Sequence, residues 1–269
     1  MDPDDPLVRT RKTVNPYYHG LGMVLKRLYW DLHYQSFVSR KKLVKARDSH
    51  ASKQAVILCN GPSLNKVDFR MLADSGVYCF GLNKINLLFD RVDFRPDCIV
   101  SVNEFVIEQN ADYFNTTDID LFIDSAAATS RIVKARSNVT FLHSTTFQKF
   151  ARDVSVSLNQ GHTVTFVAFQ LAFHMGFSSV ALVGADHTFA VKGAANQAVV
   201  SGERDESHFD PGYFAGGMKW HLPDLFESEV WYGRARQMYA AHDREILNCT
   251  EGGELEVFKR QTLEAFLGS

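Results

Sequence analysis

Ala55-Val56-Ile57-Leu58-Cys59-Asn60-Gly61-Pro62-Ser63-Leu64 is an apolar, β-branched run that stops at an Asn-Gly-Pro turn. It predicts a buried strand that ends in a tight turn. Ser63 is a candidate N-cap for a short helix, which Asp68 and Arg70 fit. A strand, a small-residue turn and a helix start gather backbone N–H groups, and such a place holds a phosphate well. The turn has neither the lysine and second glycine of a P-loop nor the three glycines of a dinucleotide fingerprint. It points to an anion or nucleotide site of a less common type, set against the plainer reading of an ordinary strand-to-helix turn.

From Gln54 onward the chain is rhythmic. Strands are expected at Ala55–Cys59, Val77–Gly81, Cys98–Val102, Asp120–Asp124, Thr140–His143, Val180–Val183 and Glu245–Asn248. Helices are expected at Asn65–Ser75, Glu104–Phe114, Thr163–Gly176 and Leu225–Asp243. This alternation predicts an α/β fold, a mostly parallel sheet with helices on both faces. Upstream, residues 1–16 read as an irregular arm. Residues 17–44 read as one basic amphipathic helix, with Leu21, Val24, Leu25, Leu28, Leu32 and Phe37 near helical spacing. Such a helix lies on a membrane, or it packs on the core or on another subunit. Packing is favoured, because the charges are not cleanly segregated.

The chain has 269 residues, 45% hydrophobic and 22% charged, which suits a globular domain. No apolar run reaches the length of a bilayer span, and the acidic start at Met1-Asp2-Pro3-Asp4-Asp5 does not read as a secretory signal. Cys59, Cys79, Cys98 and Cys249 have no CxxC spacing and read as buried, reduced thiols of a cytoplasmic protein. The three sequons, at Asn115, Asn138 and Asn248, read as chance matches. Net charge is −2, but residues 1–53 hold eleven Lys and Arg against five Asp, a balance of +6 that leaves −8 for the remainder. A basic end on an acidic body suits contact with an anionic surface, the inner face of a membrane included. Nothing points to nucleic acid.

In open parallel sheets the ligand sits beyond the carboxyl ends of the strands. There the sequence puts Asn60, Gly61, Pro62 and Ser63, then Asn83, then Asn103, and later Gly184, Asp186 and His187. Asn tolerates turn geometry, which accounts for any one of these asparagines; as a set their amides suit a base, a ribose or a sugar. Thr163 or Thr165 can cap the long apolar helix, whose start would hold an anion. Residues 203–220 are glycine-rich and aromatic and read as a mobile lid. His208 and His221 stand in or beside it and are candidate proton acceptors. Asp118-Ile119-Asp120 matches a short metal-binding pattern but precedes its strand, so no metal site is assigned to it.

In their order, the Asn60-Gly61-Pro62-Ser63-Leu64 turn, Asn83, Asn103, the apolar helix with Gly176-Phe177 and the strand end Gly184-Ala185-Asp186 resemble the bacterial sialyltransferases that use CMP-sialic acid. They also resemble the wider MptE-like group, which includes 6-hydroxymethylpterin diphosphokinases. The resemblance covers about residues 54–258. It implies one Rossmann-like domain over 54–269 with a lid at about 188–222. It also implies metal-independent, inverting transfer of a sugar from a CMP-linked or similar nucleotide donor to a glycan acceptor, with no further cofactor. Asn60, Gly61 and Ser63 would lie against the phosphate and ribose, Asn83 and Asn103 against the CMP or sugar, and Thr163 and Gly184 around the nucleotide. A lid histidine would be the base, His221 before His208, and Tyr213 would help the phosphate leave. The family's arginine before the apolar helix is not evident, since Gly161 and His162 stand there. The tyrosine after the GxD is replaced by His187 or Phe189. The alternative is an Mg2+-dependent diphosphokinase moving pyrophosphate from ATP to a pterin, with Asp186, Asp205 or Asp118 at the metal. A homo-oligomer is compatible with either.

Overall fold

The computed structural model describes residues 15–188 and 197–268, leaving out the side chains of Ala198, Lys219 and His221. Six strands run before the lid: β1 Gln54–Leu58, β2 Tyr78–Leu82, β3 Cys98–Ser101, β4 Asp120–Asp124, β5 Val139–Leu142 and β6 Ser179–Val183. A small antiparallel ribbon follows, β7 Ala198–Val200 against β8 Lys219–His221. β9 Glu245–Asn248 and β10 Lys259–Arg260 then complete an eight-stranded sheet in the order β10-β9-β6-β1-β2-β3-β4-β5. Every pairing in it is parallel. The order runs outward from β1 in one direction and restarts at β6 in the other. The β1–β6 junction is therefore the place where successive connections leave to opposite faces and open a crevice.

Helices cover both faces because the inner strands are apolar on both sides. β1 and β6 are buried nearly end to end. One face carries the Val164–Met175 helix, in which every residue from Thr165 to Met175 is buried. Such a helix has no polar face and belongs between the sheet and a second layer. That layer is the Leu225–Ala240 helix, joined through Phe166–Trp231, Phe169–Tyr232 and Phe173–Tyr239 ring contacts. The other face packs Phe69, Phe94, Phe114 and Ile85, with Phe209, Tyr213 and Phe214 from the lid.

Three local expectations are corrected. The helix expected at Asn65–Ser75 is a 3-10 turn at Pro62–Lys66 and then a helix at Phe69–Ser75. Its N-cap is Asp68, whose carboxylate takes the amides of Arg70 and Met71; Ser63 caps nothing. The helix expected over 17–44 is two, Pro16–Leu32 and Tyr34–Ala46, broken where His33 is extended and its Nδ1 caps the second. The lid is packed down: Phe209, Tyr213, Phe214 and Trp220 are all buried. Part of it, residues 189–196, and the arm at 1–14 lie outside the described residues.

The Tyr34–Ala46 helix seals the open edge of β5. The Ser39 hydroxyl accepts from the Phe141 amide at 2.9 Å, and Lys42 Nζ donates to the carbonyls of Ser137 and Val139 at 2.8 and 2.6 Å. An uncovered edge strand would offer those groups to another chain.

Candidate active site

A cavity of about 690 Å³ opens beyond the carboxyl ends of β1, β2, β3, β5 and β6. Its lining includes Asn60 and Gly61 from β1, Asn83 from β2, Asn103 from β3, and Gly184 and Asp186 from β6. Thr163 reaches it from the long helix, and His208 and Tyr213 from the lid. Pro62 and Ser63 are not in the lining. The backbone of His221 lies in β8; its side chain lies outside what is described.

The turn after β1 is not the open anion cradle that the sequence suggests. The Gly61 amide donates to the Gly184 carbonyl at 2.9 Å. The Ser63 hydroxyl donates to Asp186 Oδ2 at 2.6 Å, and the Ser63 amide meets both Asp186 oxygens at 3.2 Å. The carboxylate of Asp186 thus occupies the seat expected for a phosphate. This explains the glycines. A Cβ on Gly61 would overlap the Asp186 carboxylate and come within 2.7 Å of the Gly184 carbonyl. Gly184 is left-handed, at φ +71°, and a Cβ there would meet the Cys59 carbonyl at 2.7 Å.

The asparagines differ in what holds them. Asn103 Oδ1 caps the Glu104–Gln109 helix by accepting from Phe105 and Val106. Asn83 is left-handed and its Oδ1 accepts from the Ser101 hydroxyl at 3.3 Å. Asn60 Oδ1 is buried and finds no partner among the described residues. So does the Trp231 Nε1, which belongs to the same cavity lining. Buried polar atoms are nearly always satisfied, so an orphan acceptor and an orphan donor in one cavity suit a polar ligand.

The start of the Val164–Met175 helix also faces the cavity. Thr163 caps it by accepting from Thr165, and Gly161 and His162 before it are both left-handed. A twelve-residue helix presents a real positive end there. The nearby Cys59 thiol is pushed up to about 12 by burial, so it is no nucleophile at neutral pH.

The lid contributes titratable groups to the lining. His208 Nδ1 lies 2.7 Å from Asp205 Oδ2. A carboxylate only accepts, so Nδ1 is the donor in this contact. Burial raises the Asp205 pKa, but the hydrogen bond and charge of His208 and the amides of Ser207 and Phe214 outweigh it and hold the carboxyl below its ordinary value. The imidazole stacks flat on Tyr213, with centroids 4.1 Å apart. Burial pushes the Tyr213 phenol well above its usual value, so it stays neutral.

Sequence reasoning missed several residues. Lys84 is buried beneath the lid, where its Nζ donates to the Tyr213 carbonyl and to Gln109 Oε1, each at 2.7 Å, and lies over the Phe214 ring. Burial lowers it to about 8, against the nearby Asp205 charge. His187, already placed at this strand end by the sequence, is left-handed after β6 and meets Glu229 Oε1 at 3.0 Å. Asp124, at the end of β4, binds the Ser144 hydroxyl and Gln160 Nε2. Only the strand-end positions could have flagged Lys84 and Asp124. Their partners are remote in the chain.

No group of three or more His, Cys, Asp or Glu converges to hold a metal ion among the described residues. Asp186 is committed to Ser63, and Asp118 and Asp120 stand at the amino end of β4, the opposite side of the sheet from the cavity.

Comparison with known proteins now adds a family. The model of 6-hydroxymethylpterin diphosphokinase MptE-like proteins matches residues 32–192, from the last residue of the first helix to beyond β6. This chain belongs to the MptE-like family. The matched part of this MptE-like chain holds the whole β1–β6 half of the cavity, whereas the dyad of His208 and Asp205 lies beyond it. Among solved structures it is similar to the MAf glycosyltransferase from Magnetospirillum magneticum AMB-1, with a TM-score of 0.52 and 14% identity. The match covers 86% of this chain and 39% of that one, so the chain spans about two fifths of that protein, and the likeness is one of fold. The search of curated proteins gave no match.

Proposed function

We propose that this MptE-like protein is a glycosyltransferase that moves a sugar from a nucleotide donor, CMP-linked in the first instance, to a hydroxyl of a glycan acceptor. The observation that carries this reading is His208, in the lining of a cavity at the β1–β6 junction, with its Nδ1 held on the Asp205 carboxylate behind it. A carboxylate-oriented imidazole is the arrangement that takes a proton from a hydroxyl nucleophile. His208 Nε2 accepts the acceptor's O–H proton while that oxygen bonds to the anomeric carbon. The bond from that carbon to the phosphate oxygen breaks, and the nucleotide leaves with the electron pair. The positive end of the Val164–Met175 helix favours the charge on the leaving phosphate. Asn60 Oδ1 and Trp231 Nε1 are matched to donors and acceptors on the base, ribose or sugar. The glycosyltransferase fold of the structural neighbour supports this reading by analogy.

A second reading follows the family description: diphosphate transfer from ATP to a pterin. An Mg2+ in that reaction would be held chiefly by the substrate's own phosphates. The described carboxylates offer it little, since Asp186 and Asp205 are already bonded within the protein.

The test is a thermal-shift screen with CMP, UDP, GDP and ATP, each with and without Mg2+, followed by turnover of the matching nucleotide sugars. A ligand at about 100 times its dissociation constant stabilises a fold by about 2.7 kcal/mol. Stabilisation by CMP without Mg2+, with sugar release from a CMP-sugar, supports the first reading. Stabilisation by ATP only with Mg2+, with AMP formed when a hydroxymethylpterin is added, replaces it with the second.

A further inference from the structure

The Pro16–Leu32 helix is mounted with its apolar side outward. Its inward side holds Trp30, the only buried residue of the helix, with Lys26, Arg27 and Asp31 beside it. Arg27 bonds Asp31 at 2.8 Å and the Val156 carbonyl at 2.6 Å, and Arg40 of the next helix also meets Asp31. At 100° per residue the other side is one continuous arc of Tyr17, Leu21, Val24, Leu25, Leu28 and Leu32, without a charge in it. Leu21, Val24, Leu25, Leu28 and Leu32 are 51–81% exposed. Tyr34, Phe37 and Val44 extend the apolar surface along the second helix, flanked by exposed Lys41 and Lys45.

A globular protein rarely turns so much apolar surface to water without a partner for it. Charge selects the partner. Residues 15–53 contain eight Lys and Arg against two Asp, a balance of +6, while residues 54–269 carry −8. A second copy meeting this face symmetrically would oppose two such basic modules. An anionic lipid surface attracts the module and repels the body, which orients the protein with this helix down. Tyrosines at both ends of an aliphatic stretch suit the headgroup boundary. No described helix is long and apolar enough to cross a membrane, so the helix would lie in the interface plane.

We propose that the Pro16–Leu32 helix docks the protein on an anionic lipid surface through Leu21, Val24, Leu25, Leu28 and Leu32, with Lys41 and Lys45 meeting the headgroups. The inward side of the same helix borders the cavity. Lys26 is in its lining, and Met23 Sδ accepts at 3.2 Å from the hydroxyl of Thr146, which also lines it. Docking therefore puts the helix between the lipid surface and the cavity wall that Lys26 lines.

The experiment is flotation of the full chain with vesicles of phosphatidylcholine alone and of phosphatidylcholine with phosphatidylserine. The same runs are made with the double variants Leu25→Asp/Leu28→Asp and Lys41→Glu/Lys45→Glu. Expected is binding to phosphatidylserine vesicles that weakens with salt. Each double variant should lower the partition coefficient by on the order of tenfold or more, with an unchanged melting temperature. Both substituted pairs are on the surface, so a lost fold is read directly from that temperature. Four results would overturn the proposal. The chain does not float with either vesicle. The aspartate variant floats like wild type. A dimer of the full chain is split by that variant, which assigns the face to a second copy. Binding seen only after residues 1–14 are removed overturns it as well, because those residues then cover the face.

Discussion

His143, directly after β5, lies flat against Trp30, with ring centroids 6.0 Å apart and 4° between planes. Its Nδ1 is buried without a partner among the described residues. Burial first, then the charges of Arg27 and Lys26, lower its pKa to about 4, with Asp31 opposing and Arg40 adding to the effect. A histidine titrates near 6.5 when unfolded, so between about 6.5 and about 4 the folded chain binds fewer protons than the unfolded one. The stability this contributes is complete above about pH 6.5 and is lost as pH falls through about 4. Between pH 7 and pH 5 wild type should lose about 1 kcal/mol more than His143→Phe, allowing for partial solvent screening. Urea unfolding at both pH values measures it. A variant with the same pH dependence as wild type removes the argument. His208 makes the second prediction at this scale. His208→Ala should lower turnover by about 10²- to 10⁴-fold and leave the nucleotide-induced thermal shift in place. A variant with wild-type turnover would transfer the base role to another group.

At the scale of elements, the junction of β1 and β6 is a mutual lock. The turn after β1 contributes Gly61 and Ser63, and the end of β6 contributes Gly184 and Asp186. Gly184→Ala forces a Cβ into a left-handed residue and against the Cys59 carbonyl. Strain and overlap together should cost about 2–4 kcal/mol, read from the urea midpoint. A loss below 1 kcal/mol, within about the noise of such extrapolations, would mean that the junction gives way freely. The motif Gly184-Ala185-Asp186 is visible in the sequence and reads there as part of a ligand site. Its partner, Ser63, is 123 residues away, and no local pattern pairs them. The same holds for the lid. Its glycine and aromatic content reads as mobility, but Lys84 from the end of β2 pins it by hydrogen bonds and ring contacts.

For the whole molecule, the first two helices do different work. Pro16–Leu32 buries only Trp30, so a chain lacking residues 1–32 should fold with a melting temperature a few degrees lower. Tyr34–Ala46 seals β5 through Ser39, Lys42 and the buried Leu43. A chain lacking residues 1–46 should therefore aggregate through the exposed strand edge. Size-exclusion chromatography of both truncations checks this. A monomeric, folded 47–269 fragment would contradict the role given to the second helix.

The sequence by itself determined the parallel α/β class, because strand and helix periodicity are local properties of side-chain spacing. It also located the strand ends where Asn60, Asn83, Asn103 and Gly184 meet around one cavity. Asp120–Asp124 and Glu245–Asn248 are strands as read. Tertiary structure alone decided the use made of those residues. Asp186 fills the expected phosphate seat, Asp205 orients His208, and an apolar helix face turns outward. Each depends on which distant groups share a position in space, and residue spacing along a chain carries no record of that.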